Sequence, residues 1–189
     1  LQGLGGAAST TINGGYIASE GDAIYVATST GVTIGGGVQI LKAGTGKAGI
    51  RINNSNHCSI TGNRFLNIAS PIKMETAKYC TISNNIINIE PSEILTRPLV
   101  STSSALDFTS SSEENIIGGN IISGESSSNK YQYWVKLASG CDNNRFDSNK
   151  GEFTDGRSDS GSGNKFGNVS STDIPAAFTG TLPTGNNFY

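Results

Sequence analysis

The chain has 189 residues, with 13 Lys and Arg against 15 Asp and Glu for a net charge of −2, a balance that gives no electrostatic ground for a nucleic-acid partner. Gly, Ser, Thr and Asn make up 86 residues, which argues against a helical domain, while 42 Ile, Leu, Val and Phe suffice for a thin core. No apolar run approaches the ~18 residues of a membrane span, and the opening LQGLGGAAS lacks the basic start and apolar centre of a secretory signal.

In chain order, a repeat emerges. TTINGGYI (10–17) is a loose first copy, and Ile24-Tyr25-Val26 followed by VTIGGGVQI (32–40) is a second. Ile50-Arg51-Ile52 precedes CSITGNRFLNI (58–68), and Ile72-Lys73-Met74 precedes CTISNNIINIE (80–90). Leu106-Asp107-Phe108 precedes NIIGGNIISGE (115–125), and Val135-Lys136-Leu137 precedes NRFDSNKG (144–151). GNKFGNV (163–169) is a last, partial copy, and residues 170–189 lose the pattern, as expected of an extension or cap. Residues 90–104 and 125–133 are insertions between copies.

A unit of roughly 22–26 residues with three short strands cannot bury its own apolar side, so units must stack around a shared interior. The segments alternate with period two, which excludes helical repeats, and the nine Leu are too few for a leucine-rich ladder. A parallel β-solenoid of six to seven coils over residues 1–169 follows. The recurring Asn63, Asn85, Asn120 and Asn149, with Gly37 in the same slot, are assigned to a tight corner in the left-handed conformation.

Stacked coils of this length, with an Asn ladder and Ile/Phe-lined strands, resemble the right-handed parallel β-helix of pectate-lyase-like proteins. The low-charge, Ser/Thr/Asn/Gly-rich texture is most similar to bacteriophage tailspikes and related receptor-binding depolymerases. The resemblance covers residues 10–169 and implies a virion tail protein that binds bacterial capsule or O-antigen as a homotrimer, without a cofactor. A secreted bacterial lyase or epimerase of the pectate-lyase kind is the alternative, and a non-catalytic trimeric shaft is another. The start at Leu1, close to repeat-like sequence, suggests the distal part of a longer chain.

Alternation along each first strand places one residue per coil outward, giving the column Tyr25, Arg51, Lys73, Asp107 and Lys136. The next outward positions include Asn53 and Glu75, and the preceding ones Pro71 and Trp134. Strand spacing puts the Cα atoms of Glu75 and Asp107 about 8 Å apart on the diagonal. Glycoside hydrolysis commonly uses such a carboxyl pair, so Glu75 and Asp107 are the catalytic candidates. In a lyase reading, Arg51, Lys73 or Lys136 neutralises a sugar carboxylate or takes a proton. A solvated charge column with neither role is the structural alternative. Trp134, beside Tyr131 and Tyr133, and Tyr25 offer flat faces for sugar rings; packing of Trp134 under the neighbouring insertion is the alternative. Arg97 and Glu93 lie in the first insertion and are secondary candidates for substrate contact.

With Phe65, Ile87 and Ile122 inward on the third strand, Leu66, Ile86 and Ile121 form an outward apolar stripe, the expected trimer contact unless the C-terminal extension covers it. Cys58 and Cys80 share a repeat position continued by Asn115 and Asn144, and are read as a reduced interior stack, with Cys141 unpaired. The lone His57 and the scattered acidic residues provide no metal set.

Overall fold

The computed structural model describes residues 2–6, 8–43, 46–89, 104–124, 131–151 and 153–167. Within these, three parallel sheets form a right-handed parallel β-helix. Sheet one comprises β1 (Gln2–Gly5), β4 (Ile24–Ala27), β7 (Ile50–Asn53), β10 (Ile72–Glu75), β13 (Ser104–Thr109), β16 (Tyr131–Leu137) and β19 (Phe153–Asp159). Sheet two comprises β2 (Thr11–Asn13), β5 (Thr33–Gly35), β8 (Ser59–Thr61), β11 (Thr81–Ser83), β14 (Ile116–Gly118), β17 (Arg145–Asp147) and β20 (Lys165–Gly167). Sheet three comprises β3 (Tyr16–Ala18), β6 (Gln39–Lys42), β9 (Arg64–Leu66), β12 (Ile86–Ile89), β15 (Ile121–Gly124) and β18 (Lys150–Gly151). Each strand pairs with its counterpart one repeat away, so the sequence repeat and the structural rung coincide.

Period-two patterning produces the interior. Ile24, Ile50, Ile72, Leu106 and Val135 stack in one fully buried column, and Ile34, Ile60, Ile82, Ile117, Phe146 and Phe166 in another. Because neighbouring rungs supply the same side chain at the same height, apolar area is buried between coils as well as within them.

Polar ladders close the corners. Asn85 Nδ2 donates to Asn120 Oδ1 at 2.9 Å and to the Ile60 carbonyl at 2.9 Å, while Asn85 Oδ1 accepts from the Asn63 backbone N–H at 3.0 Å and from Asn63 Nδ2 at 3.2 Å. Asn120 and Asn149 repeat the arrangement. A second ladder runs Cys58, Cys80, Asn115, Asn144 and Asn164. A third uses Ser55 Oγ and Ser112 Oγ to accept the backbone N–H groups of Ser29 and Ala77. All three cysteines are free and buried.

The conformational reason given for the Asn corner needs correcting. The left-handed residues are Gly62, Asn84, Gly119 and Ser148, each one place before a ladder Asn, and Gly37 belongs with them, so that Val38 precedes Asn63 in the ladder. Asn recurs at 63, 85, 120 and 149 because its amide both donates and accepts, and so chains rung to rung in a dry corner. Asn164 extends the second ladder by the same logic. The extension expected over 170–189 lies outside the described residues, as do Glu93 and Arg97.

Candidate functional site

The outward column of sheet one is in register as the alternation requires: Tyr25 pairs with Arg51, Arg51 with Lys73, Lys73 with Asp107, and Asp107 with Lys136. Asn53, Glu75 and Thr109 form the next column. These side chains stand on flat parallel strands whose inward neighbours are fully buried, so the scaffold beneath them is rigid.

Glu75 is the hub. Its Oε2 accepts from Arg51 at 2.6 and 2.7 Å, and its Oε1 meets Lys73 Nζ at 2.8 Å. Arg51 also reaches Asp22 Oδ2 at 3.5 Å and lies 5.2 Å over the Tyr25 ring, whose hydroxyl accepts from Asn53 Nδ2 at 2.9 Å. Asp22 in turn accepts the Ala48 backbone N–H at 2.7 Å. Burial alone pushes the Glu75 carboxyl up, but Lys73 and Arg51 outweigh it and hold Glu75 below the ordinary value. Burial likewise opposes the Arg51 charge, yet Glu75 and Asp22 leave the guanidinium more firmly protonated than usual, which makes it a poor base.

Asp107 is the opposite case. Its Oδ1 is buried and without a hydrogen-bond partner. Burial raises the Asp107 carboxyl above its ordinary value, Lys73 and Lys136 pull it back down, Glu75 adds to the rise, and the net shift is upward. Two carboxyls one rung apart therefore have opposite ionisation tendencies, the environment that separates an acid from a carboxylate in hydrolases. Lys136 is in no ion pair among the described residues.

Trp134 is not on this face. It is 6% exposed and sits edge-on to Phe146 and Phe166, at centroid distances of 5.5 and 6.1 Å. The position before each first inward residue is buried in every coil: Ala23, Gly49 and Pro71 just precede β4, β7 and β10, and Ala105 and Trp134 lie within the longer β13 and β16. Alternation fails at Trp134 where the pairing of β16 with β19 shifts register between Tyr133 and Val135, and a large indole gains more by packing against the phenyl rings than by facing water. Pro71 is corrected with it. Tyr131 is also buried, donating its hydroxyl to the Ile68 carbonyl.

On sheet three, Ile86 and Ile121 face out, 42% and 48% exposed, with Ile87 and Ile122 buried beneath. Leu66 is half-buried and pairs with Asn88, two residues further along the strand, so that Arg64 and not Leu66 is in register with Ile86 and Ile121. Sequence reasoning missed the exposed Ile116 on sheet two, the Asp22 contact to Arg51, and the Arg157 guanidinium 3.9 Å over the Phe166 ring. A turn aspartate such as Asp22 has no periodic signal, so only its position near Arg51 reveals it. Among the described residues no group of three or more His, Cys, Asp or Glu side chains is placed to hold a metal. Among the described residues no helix is long and apolar enough to cross a membrane. Compared with known proteins, the chain matches no family model and no curated protein.

Proposed function

We propose that this chain is the β-helical part of a receptor-binding protein of the tailspike type, which holds a bacterial surface polysaccharide, capsule or O-antigen, along the outer face of sheet one. The reading is carried by the in-register column from Tyr25 to Lys136, which sets an aromatic ring, three cations and one carboxyl at sugar-scale intervals on a rigid sheet, with the Glu75 carboxyl in the adjacent column. Arg51 and Lys73 are fixed by Glu75, so their donors are oriented before any ligand arrives. A glycan array probed with the full chain tests it. Binding to bacterial oligosaccharides that is weakened by Arg51→Ala or Tyr25→Ala is the expected outcome, and binding unaffected by either would remove the site.

A second reading adds turnover, with Asp107 as acid and Glu75 as base. The opposite ionisation tendencies of the pair support it; the engagement of both Glu75 oxygens by cations weakens Glu75 as base or nucleophile. New reducing ends that disappear in Asp107→Asn and Glu75→Gln would establish hydrolysis. Retained binding without them leaves recognition alone. The Ile86 and Ile121 stripe, with Leu66, is assigned in this proposal to contact between three copies of the chain. Light scattering at micromolar concentration should give a trimer that Ile86→Lys with Ile121→Lys dissociates, and a monomeric wild-type chain would refute the assignment.

A further inference from the structure

Asp107 combines two features that do not suit an ordinary surface carboxylate. One oxygen is sealed and receives no hydrogen bond, and no ion pair joins Asp107 to either flanking lysine. An ionised carboxylate is an acceptor only, so a sealed oxygen without a donor is costly, whereas the neutral acid carries its own donor on the other oxygen. Asp107 is half-buried and its remaining surface is open to solvent on the outer face. The next residue in the column is Lys136, an ammonium in no ion pair among the described residues, whereas Lys73 on the other side is engaged by Glu75. A neutral hydroxyl donor beside a cation is complementary to an anion.

We propose that Asp107 and Lys136 form a subsite for an acidic sugar, whose carboxylate lies against the Lys136 ammonium and accepts a hydrogen bond from protonated Asp107. The subsite rests on the reading of sheet one as the polysaccharide face and names the substrate class that face takes. The charged groups facing Asp107 are Lys73 and Glu75 from β10 and Lys136 from β16. The lysines oppose protonation, and burial together with Glu75 favours it. A bound carboxylate adds a second negative charge and favours it further, so binding takes up one proton wherever free Asp107 is ionised.

The test uses the full chain on an array of uronate-, sialate- and pyruvate-ketal-bearing bacterial oligosaccharides, each beside its carboxyl-reduced counterpart. The best pair is then followed by calorimetric titration across the acid-to-neutral range at fixed ionic strength. The acidic form should bind at least about tenfold more tightly than the reduced form, and its affinity should fall towards tenfold per pH unit above the Asp107 titration. Asp107→Asn, whose amide donates at every pH, should flatten that slope. Lys136→Gln should abolish the preference for the acidic form, with a single cooperative unfolding transition in each variant showing that both fold. Equal binding of acidic and reduced forms, or an undiminished slope in Asp107→Asn, overturns the subsite and leaves the polysaccharide face standing. If no oligosaccharide binds, the face itself is refuted and the subsite with it.

Discussion

Replacing Asn85 with alanine tests whether amide chaining holds the coils together. The side chain is fully buried and makes four hydrogen bonds. Its removal orphans two donors in a dry corner, the Asn63 backbone N–H and one proton of the Asn63 amide, whereas Asn120 Oδ1 still accepts the residue-85 backbone N–H at 3.0 Å. At about 1–3 kcal/mol for each buried unsatisfied group, the cost is roughly 4 kcal/mol. Asn149→Ala removes equivalent acceptors, but that residue is 9% exposed, and water entering at the rim should reduce the loss to about half. Asn85→Gly separates the two accounts of the corner. Were a left-handed conformation the reason for Asn, glycine would be tolerated; since the left-handed residue is Asn84, glycine at 85 should cost as much as alanine plus roughly 0.5–1 kcal/mol of backbone entropy. Urea unfolding, followed by far-UV circular dichroism and by the fluorescence of Trp134, the single tryptophan, provides the midpoints and slopes. A loss below about 1 kcal/mol in Asn85→Ala, or rescue by glycine, would refute the amide-chain explanation.

The two carboxyls of sheet one should have opposite effects on stability against pH. Glu75 sits below its ordinary value of 4.5, so its contribution is complete above that value and is lost as pH falls through the lower native one; Glu75→Gln should remove this acid-range dependence. Asp107 sits above 3.8, so the native state loses stability as pH rises through its raised value, and Asp107→Asn should be more stable than the parent at neutral pH, the difference closing towards the acid end of a thermal-melt series. Thr76 is a β-branched residue at φ 51°, and Thr76→Gly should raise the urea midpoint by the equivalent of about 0.5–1 kcal/mol; a lower midpoint would show that the threonine side chain offsets its strain. Cys58, Cys80 and Cys141 should resist a thiol reagent in the native protein and all react after unfolding, whereas a single slow-forming disulfide found on mapping would contradict the free stack.

Much of the architecture was legible because a solenoid translates one-dimensional periodicity into geometry. Ile50-Arg51-Ile52 and its counterparts announce both the strand and the direction of its middle residue, and the steps between copies set the rung pairing that places Arg51 over Lys73 and Lys73 over Asp107. Patterning has less to say where the chain bends. Trp134 follows the outward parity of β16 on paper, yet it packs inward against Phe146 and Phe166, at the register shift of the β16–β19 pairing between Tyr133 and Val135. The ladder asparagines were found at their correct positions but for a conformational reason that belongs to their predecessors.

By itself, the amino-acid order determined which residues stack and which wall each occupies, because alternation and repeat length are local properties copied from coil to coil. The tertiary structure decided how the charges on that wall divide. Glu75 claims Arg51 and Lys73, Asp22 approaches from outside the strands, and Asp107 is left with a sealed oxygen beside Lys136, which is in no ion pair among the described residues. Ionic partnership depends on side-chain reach across rungs and on burial in three dimensions, and neither is encoded in a period of two.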